Sequence, residues 1–303
     1  MKKGISLNSF ALKIIAMVTM AIDHLGVSIS SLWGITTSFE PFYYTCRYIG
    51  RIAMPLYCFM LVEGVIHTRN YKKYALRLGI MALLISAFLA ICEYVPQLGF
   101  SSIASMGNIF LDLLLGSVMI YCLRHKNKYI KLLAIIPFGI SIFSFVAKGI
   151  EWSGSCVDCG YTTTYLWYPQ FLRLQYDWLS LGLMLGYFLS YLATKIYFKI
   201  RFEEYGTLEN MEGTKEYRLT VNLFAVIFTV IVSLLYYCVR YMNSSWVFWD
   251  AGMQLFAVIA SVFIVLYNSQ RGYNAKWFNI FSYIYYPLHI ILIYGICYLI
   301  YLI

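Results

Sequence analysis

The chain contains very little charge. Only 12% of its 303 residues are charged and 61% are hydrophobic, with a mean hydropathy of +0.69. A soluble domain is nearer one-quarter charged, so a soluble core carrying one anchor is excluded. Apolar runs of about 17–25 residues, enough to cross a bilayer as a helix, recur along the chain. We therefore predict an all-α polytopic transmembrane helix bundle of about nine to ten helices, with residues 1–303 forming a single domain.

Several catalytic and metal-binding signatures are also missing. The sequence has neither a G-x-S-x-G elbow nor an H-E-x-x-H helix, which argues against an intramembrane hydrolase. Its one paired-cysteine motif, Cys156-Val157-Asp158-Cys159, has no second CxxC to complete a zinc site. A disulfide and two free thiols remain the alternatives at that motif, and we expect no metal.

The distribution of basic residues predicts the topology. Placing the N-terminus in the cytoplasm assigns 18 of the 23 Lys and Arg residues to inner segments and five to outer ones. Positive charge gathers on the cytoplasmic side, so we predict a protein of a bacterial-type cytoplasmic membrane with its N-terminus inside. The net charge of +9 then needs no nucleic-acid partner. The predicted spans are 9–30, 49–67, 76–95, 108–123, 129–147, 177–197, 219–240, 251–267 and 278–303.

Two ionisable residues, Asp23 and His24, lie inside the first span. Such groups are costly in hydrocarbon without a partner or a water-lined cavity, so they are the first candidates for chemistry. At 1.5 Å per residue, His24 lies roughly 22 Å from the inner end of its span, toward the outer leaflet. Arg51, Asn108 and Asp112 fall at a similar depth, which predicts one outward-facing cavity.

Other polar residues are predicted deeper in the membrane or at its inner mouth. Glu63 and His67 lie toward the inner end of the second span, and His289 follows Pro287 near mid-membrane. Basic side chains suit phosphate binding, so we predict an inner vestibule that holds an anionic cofactor. Its residues are Lys13, Arg69, Lys72, Lys73 and Arg77.

An ordered set of motifs resembles the TraX family. They are the runs 12–16 and 20–26, the run Gly50–Gly64, His67–Asn70 with Tyr74–Leu78, Asn108–Gly116, and Tyr286–His289. TraX proteins are associated with N-terminal acetylation of conjugative pilin. They look distantly similar to membrane acyltransferases, including the heparan-glucosaminide N-acetyltransferases.

Several of those acyltransferases have a basic residue, ten further residues and then His in the first helix. Lys13 and His24 have that spacing here, with Lys in place of the more usual Arg. The resemblance implies acetyl-CoA as the donor, His24 as the base, and an acceptor on the outer side. Pilin, a sugar and a small molecule stay open as acceptors.

Individual residues can be given roles in acetyl transfer, and a second function is also compatible with them. Acetyl transfer needs a base, and a carboxylate can orient the imidazole; Asp23 and Asp112 are equal candidates for that role. Arg51 or Asn108 would stabilise the oxyanion. The alternative function is a proton-coupled transporter that uses the intramembrane carboxylates and histidines as a relay. Purely structural roles are also open, including an i,i+4 clamp between Glu63 and His67.

Overall fold

The computed structural model describes residues 6–36, 38–95, 107–154, 168–201, 211–243 and 248–303. Cys156 and Cys159 lie outside these ranges. The described chain is helical, and its one β-bridge is isolated, between Leu7 and Tyr267. The helices are α1 Ser9–Trp33, α2 Glu40–Gly50, α3 Ala53–His67, α4 Tyr71–Tyr94, α5 Ile109–Arg124, α6 Lys128–Leu132, α7 Ile135–Gly154, α8 Asp177–Arg201, α9 Lys215–Asn243, α10 Phe248–Leu255, α11 Ala260–Val265 and α12 Lys276–Tyr301.

The fold class is confirmed as an all-α polytopic helix bundle of an integral membrane protein. Within the described ranges, seven helical segments are long and apolar enough to span a membrane. The predicted span 108–123 corresponds to α5, with 16 residues. The predicted span 251–267 corresponds to α10, a 3-10 turn at Phe256–Ile259 and α11. Large apolar side chains such as Leu83, Ile200 and Ile291 are exposed, as suits contact with lipid.

The predicted start of the second span, residue 49, was wrong. The apolar segment runs over Glu40–His67, and α2 and α3 are separated only by a turn at Arg51 and Ile52. The predicted span started too late because Arg47, just before residue 49, is unfavourable in hydrocarbon. In the structure both arginines pair with a carboxylate, which removes that penalty.

The helices form two compact units, and the boundaries between them fall within α3 and α8. The first unit contains residues 1–60 and 186–303, and the second contains residues 61–185. In the first, α1 packs on α2 and α12, and α9 packs on α10 and α11; in the second, α5 packs on α4, α6 and α7. The assignment of residues 1–303 to one domain stays a prediction.

Asparagine side chains begin several helices. The Oδ1 atom of Asn8 accepts a hydrogen bond from the backbone N–H of Ala11 at 2.9 Å at the start of α1. Asn70 accepts from Lys73 at 3.1 Å at the start of α4. Each side chain satisfies one of the helix N–H groups that has no acceptor within the helix, so the sequence marks these starts locally.

Two glycines allow α1 and α2 to cross closely. A Cβ atom on Gly26 of α1 would lie 2.6 Å from the Cβ atom of Cys46 in α2. A Cβ atom on Gly50 of α2 would lie 2.2 Å from the Oδ1 atom of Asp23 in α1. Neither position has room for a side chain, and this close approach brings Asp23 against α2.

Gly26→Ala is therefore expected to lower the thermal unfolding temperature of the purified protein, because overpacking costs about 1–3 kcal/mol. Gly295→Ala in α12 is the matched control, since nothing lies within 4 Å of its added Cβ. There the better helix propensity of alanine should leave the unfolding temperature unchanged or higher. If Gly26→Ala unfolds no lower than Gly295→Ala, the close crossing is contradicted.

Candidate functional site

Asp23 binds two arginines from the end of α2. Its Oδ2 atom accepts a hydrogen bond from Nη1 of Arg47 at 2.7 Å, and its Oδ1 atom accepts from Nη2 of Arg51 at 3.2 Å. Asp23 is only 7% exposed. A buried ion is tolerated when it is paired and its remaining lone pairs are satisfied, and here each carboxylate oxygen has its own guanidinium donor.

The arginines extend this network to a third segment. Arg51 donates from Nε to the carbonyl of Arg47 at 3.2 Å and from Nη1 to Oε1 of Gln254 at 3.4 Å. The ring of Tyr48 stacks on Phe256 at 4.1 Å between centroids, which holds this segment against α2. Within the described chain, Nε of Arg47 and Nε2 of Gln254 are buried without a hydrogen-bond partner.

His24 faces a second histidine. The ring centroids of His24 and His289 are 4.8 Å apart, with an interplanar angle of 51°. His289 also stacks on Tyr285 at 4.6 Å, and the Tyr285 hydroxyl donates to the carbonyl of Met17 at 2.8 Å. These contacts link α12 to α1 and place the two imidazoles together.

The hydrogen bond of His289 determines which of its nitrogens is available. Its Nδ1 atom lies 2.7 Å from the carbonyl oxygen of Tyr285, and a carbonyl only accepts, so Nδ1 is the donor. The neutral ring then keeps its lone pair on Nε2. His289 is 4% exposed, and Nε2 is buried with no hydrogen-bond partner in the described chain. A buried basic atom thus adjoins His24.

These residues form one group, the His24 cluster, which consists of Asp23, His24, Arg47, Arg51, Gln254 and His289. Sequence reasoning singled out four of its members but missed Arg47 and Gln254. Arg47 precedes Arg51 by four residues, so the helical period offered a signal. Gln254 had no local signal beyond its polarity in an apolar segment.

A family comparison covers most of this cluster. The family model described as TraX protein matches residues 9–188, more than half of the chain. The chain belongs to the TraX family. The matched region includes His24, Asp23 and both arginines, whereas Gln254 and His289 follow it.

A second comparison relates this TraX-family protein to a fimbrial assembly protein. It is 28% identical over 156 residues to the "Probable fimbrial assembly protein FimC, serogroup H1" of Dichelobacter nodosus. The match covers 50% of this chain and 59% of that relative, so the chain spans about three-fifths of its length. No solved structure matches.

Asn108 and Asp112 of this TraX-family chain belong to the second unit, where each has partners. Asn108 donates from Nδ2 to the carbonyl of Ala82 at 2.8 Å and to Oγ of Ser86 at 2.9 Å. The oxyanion role considered for Asn108 would therefore require a change of partners. Asp112 accepts from Oγ of Ser180 at 2.6 Å and from the backbone N–H groups of Gln175 and Tyr176 at 2.7 and 3.2 Å.

These contacts give Asp112 a structural role in ordering the segment that leads into α8. The role of Asp112 as the orienter of His24, and a cavity shared with the His24 cluster, stay predictions. For Asp23, the other candidate orienter, both carboxylate oxygens bind arginines. Adjacent residues on a helix diverge by about 100°, and accordingly Asp23 contacts α2 while His24 contacts α12.

The remaining predicted residues lie near helix ends. Glu63 and His67 approach to 3.8 Å between Oε2 and Nε2, which confirms the i,i+4 pairing. The basic residues predicted around the start of α4 are all exposed, and no ion pair involves them in the described part of the chain; they are Arg69, Lys72, Lys73 and Arg77. Lys13 lies in the first unit, where Nζ donates to Oδ1 of Asn279 at 3.5 Å. A single vestibule formed by all five stays a prediction.

The buried ion pair should be energetically coupled. Asp23→Asn and Arg47→Gln are each expected to lower stability, and the double variant to lose less than the sum, with a coupling energy of about 1–3 kcal/mol. Thermal unfolding in detergent measures the cycle. Lys195 and Glu212 provide the control, because this pair is joined at 2.8 Å but both side chains are 51% exposed. Its coupling should be at most about 0.5 kcal/mol; equal coupling in both cycles would contradict the assignment.

Proposed function

We propose that this TraX-family protein is a membrane acetyltransferase. It moves an acetyl group from cytosolic acetyl-CoA to an amine or hydroxyl on the outer side of the membrane. The observation that carries the proposal is the contact between the rings of His24 and His289. The Nε2 atom of His289 is buried and has no hydrogen-bond partner in the described chain. Buried histidine nitrogens are usually hydrogen-bonded in native structures, whereas the available Nε2 lone pair of His289 can accept a proton or hydrogen bond from the adjacent His24, the proposed base.

The family and the relative support the class of acceptor. The relative's name concerns fimbrial assembly, and the TraX resemblance implies pilin acetylation. A pilin N-terminus is therefore the first acceptor to test, with amino sugars and small amines as the next candidates.

The transfer begins when the acceptor nitrogen or oxygen attacks the thioester carbonyl carbon of acetyl-CoA. His24 removes the proton of the attacking atom, and a new C–N or C–O bond forms. The tetrahedral intermediate collapses with cleavage of the C–S bond, and the protonated imidazole returns its proton to the departing thiolate. Free CoA and the acetylated acceptor are the products, so atoms and charge balance.

The other members of the His24 cluster support this step. His289 provides a second imidazole, whose Nε2 lone pair receives a proton or hydrogen bond from its neighbour. The arginines held by Asp23 supply positive charge beside the imidazoles, where negative charge develops on the carbonyl oxygen. Nε2 of Gln254 and Nε of Arg47, both buried without a partner in the described chain, are donors available for that oxyanion.

Replacing His24 should abolish transfer. General base catalysis contributes about 10²–10⁴-fold, so His24→Ala is expected to lower the rate at least about 100-fold. The assay uses protein in liposomes, labelled acetyl-CoA on the cytoplasmic side, and a peptide with a free N-terminus or glucosamine as acceptor probes. His125→Ala is the control with an unchanged rate, because His125 accepts a backbone hydrogen bond from Asn127 at 3.0 Å outside the cluster. A His24→Ala protein with the wild-type rate removes the mechanism.

The basic residues at the start of α4 should contribute to donor binding. They are exposed, and the positive end of a helix favours phosphate. Calorimetry with acetyl-CoA is expected to give a dissociation constant at least about tenfold higher for the triple variant Arg69→Gln, Lys72→Gln and Lys73→Gln, since each charged contact contributes about 0.5 kcal/mol or more. A flat response from the wild-type protein would instead favour the proton-coupled transporter.

A further inference from the structure

A cavity of about 170 Å³ lies between the starts of α1 and α12 in the first unit. Its polar lining comes from Ser9 and Lys13 of α1, Arg271 and Asn274 of the preceding loop, and Asn279 of α12. Drug-sized ligands fill about 300–1,000 Å³, so this cavity suits one chemical group of a larger ligand.

The loop that carries Arg271 is attached to the start of α1 by backbone hydrogen bonds. Leu7 donates to the carbonyl of Leu266 at 2.7 Å, and Ser9 donates to that of Gln270 at 2.8 Å. Phe10 donates to the carbonyl of Arg271 itself at 3.2 Å. The main chain of Arg271 is thus held at the edge of the cavity, although its side chain is exposed.

A glycine makes this attachment possible. Gly272 has a φ of +67°, and a Cβ there would lie 2.5 Å from Cγ of Asn8. Only glycine combines that backbone conformation with the close approach of a neighbouring side chain. The backbone conformation of this loop therefore fixes it against the start of α1, where it forms one side of the cavity.

The chemistry of the lining is that of an anion site. Lys13 and Arg271 bring two positive charges, and neither has a carboxylate partner among the described residues. Nζ of Lys13 donates to Oδ1 of Asn279 at 3.5 Å, and Nδ2 of Asn279 donates to Oδ1 of Asn274 at 2.9 Å. Arg and Lys side chains are the usual charged donors to phosphate.

We propose that this cavity binds a phosphate group of the donor substrate, with Lys13 and Arg271 as its charged ligands. Its identity as a phosphate of CoA rests on the proposed acetyl transfer, and the phosphate of an anionic lipid headgroup offers the same chemistry. The positive-inside bias accounts for basic residues at this end of the helices, but it requires neither a cavity nor a loop attached to α1.

The test measures CoA binding by calorimetry, with the full chain in nanodiscs of zwitterionic phosphatidylcholine. Arg271→Gln and Lys13→Gln are each expected to raise the dissociation constant about tenfold, as loss of a charged hydrogen bond predicts. Lys276→Gln is the matched control, because Lys276 is an exposed cation of the same region that does not line the cavity; its dissociation constant should be unchanged. Lys13→Gln decides the matter if Arg271→Gln does not fold.

A second measurement, stabilisation by phosphatidylglycerol, distinguishes CoA from an anionic lipid as the source of the phosphate. The combined results also distinguish failure of the cavity proposal from failure of the proposed donor. If CoA binds the wild type and both cavity variants equally, the cavity proposal is overturned while acetyl-CoA use survives. If the wild type does not bind CoA, the proposed donor fails. Stabilisation by phosphatidylglycerol that is lost in Arg271→Gln but retained in Lys276→Gln would then support the phosphate site with a lipid occupant. If the wild type neither binds CoA nor is stabilised by phosphatidylglycerol, the phosphate-site proposal is overturned.

Discussion

The pairing of Asp23 with Arg47 and Arg51 is the interaction on which the rest of the site depends. A carboxylate and two guanidinium groups within apolar helices are each unfavourable alone, because desolvation of a charge costs several kcal/mol. Together they satisfy both carboxylate oxygens at 2.7 and 3.2 Å. Gly50 lets the helices approach until Asp23 packs directly on its backbone. The close packing of α1 on α2 is therefore needed for Asp23 to pair with the two arginines.

That arrangement separates the two neighbouring polar residues of α1. Asp23 is directed to α2 and is engaged by the arginines, which leaves His24 to contact His289 of α12. The imidazole thus lies beside a positively charged network without being hydrogen-bonded to its carboxylate. The chemistry we propose uses both features, with imidazoles for the proton and nearby guanidinium and amide donors for the oxyanion. In this respect it differs from a triad, in which the carboxylate itself orients the base.

In the second unit, a buried carboxylate organises a neighbouring segment. Asp112 accepts three hydrogen bonds from the segment Gln175–Ser180. Asn108 accepts a hydrogen bond from the backbone N–H of Phe110 at the start of α5 and donates to the carbonyl of Ala82 in α4. From the sequence alone, Asp23 and Asp112 looked equivalent, since both are acidic residues in apolar helices. Their partners distinguish them, and a hydropathy profile contains no information about partners.

The sequence by itself determined the all-α class, the polytopic membrane character, the family motifs and the ionisable residues worth attention, because each depends on local composition and spacing. Hydropathy placed the start of the second span too late, at residue 49, because it does not register that Arg47 is paired within a segment that begins at Glu40. Only the tertiary structure decided that Asp23 belongs to Arg47 and Arg51, that His24 contacts His289 from the far end of the chain, and that Lys13 shares a cavity with Arg271. These pairings join residues from distant segments, and helix packing selects them through backbone approach at small residues and through side-chain direction, neither of which the spacing along one helix specifies.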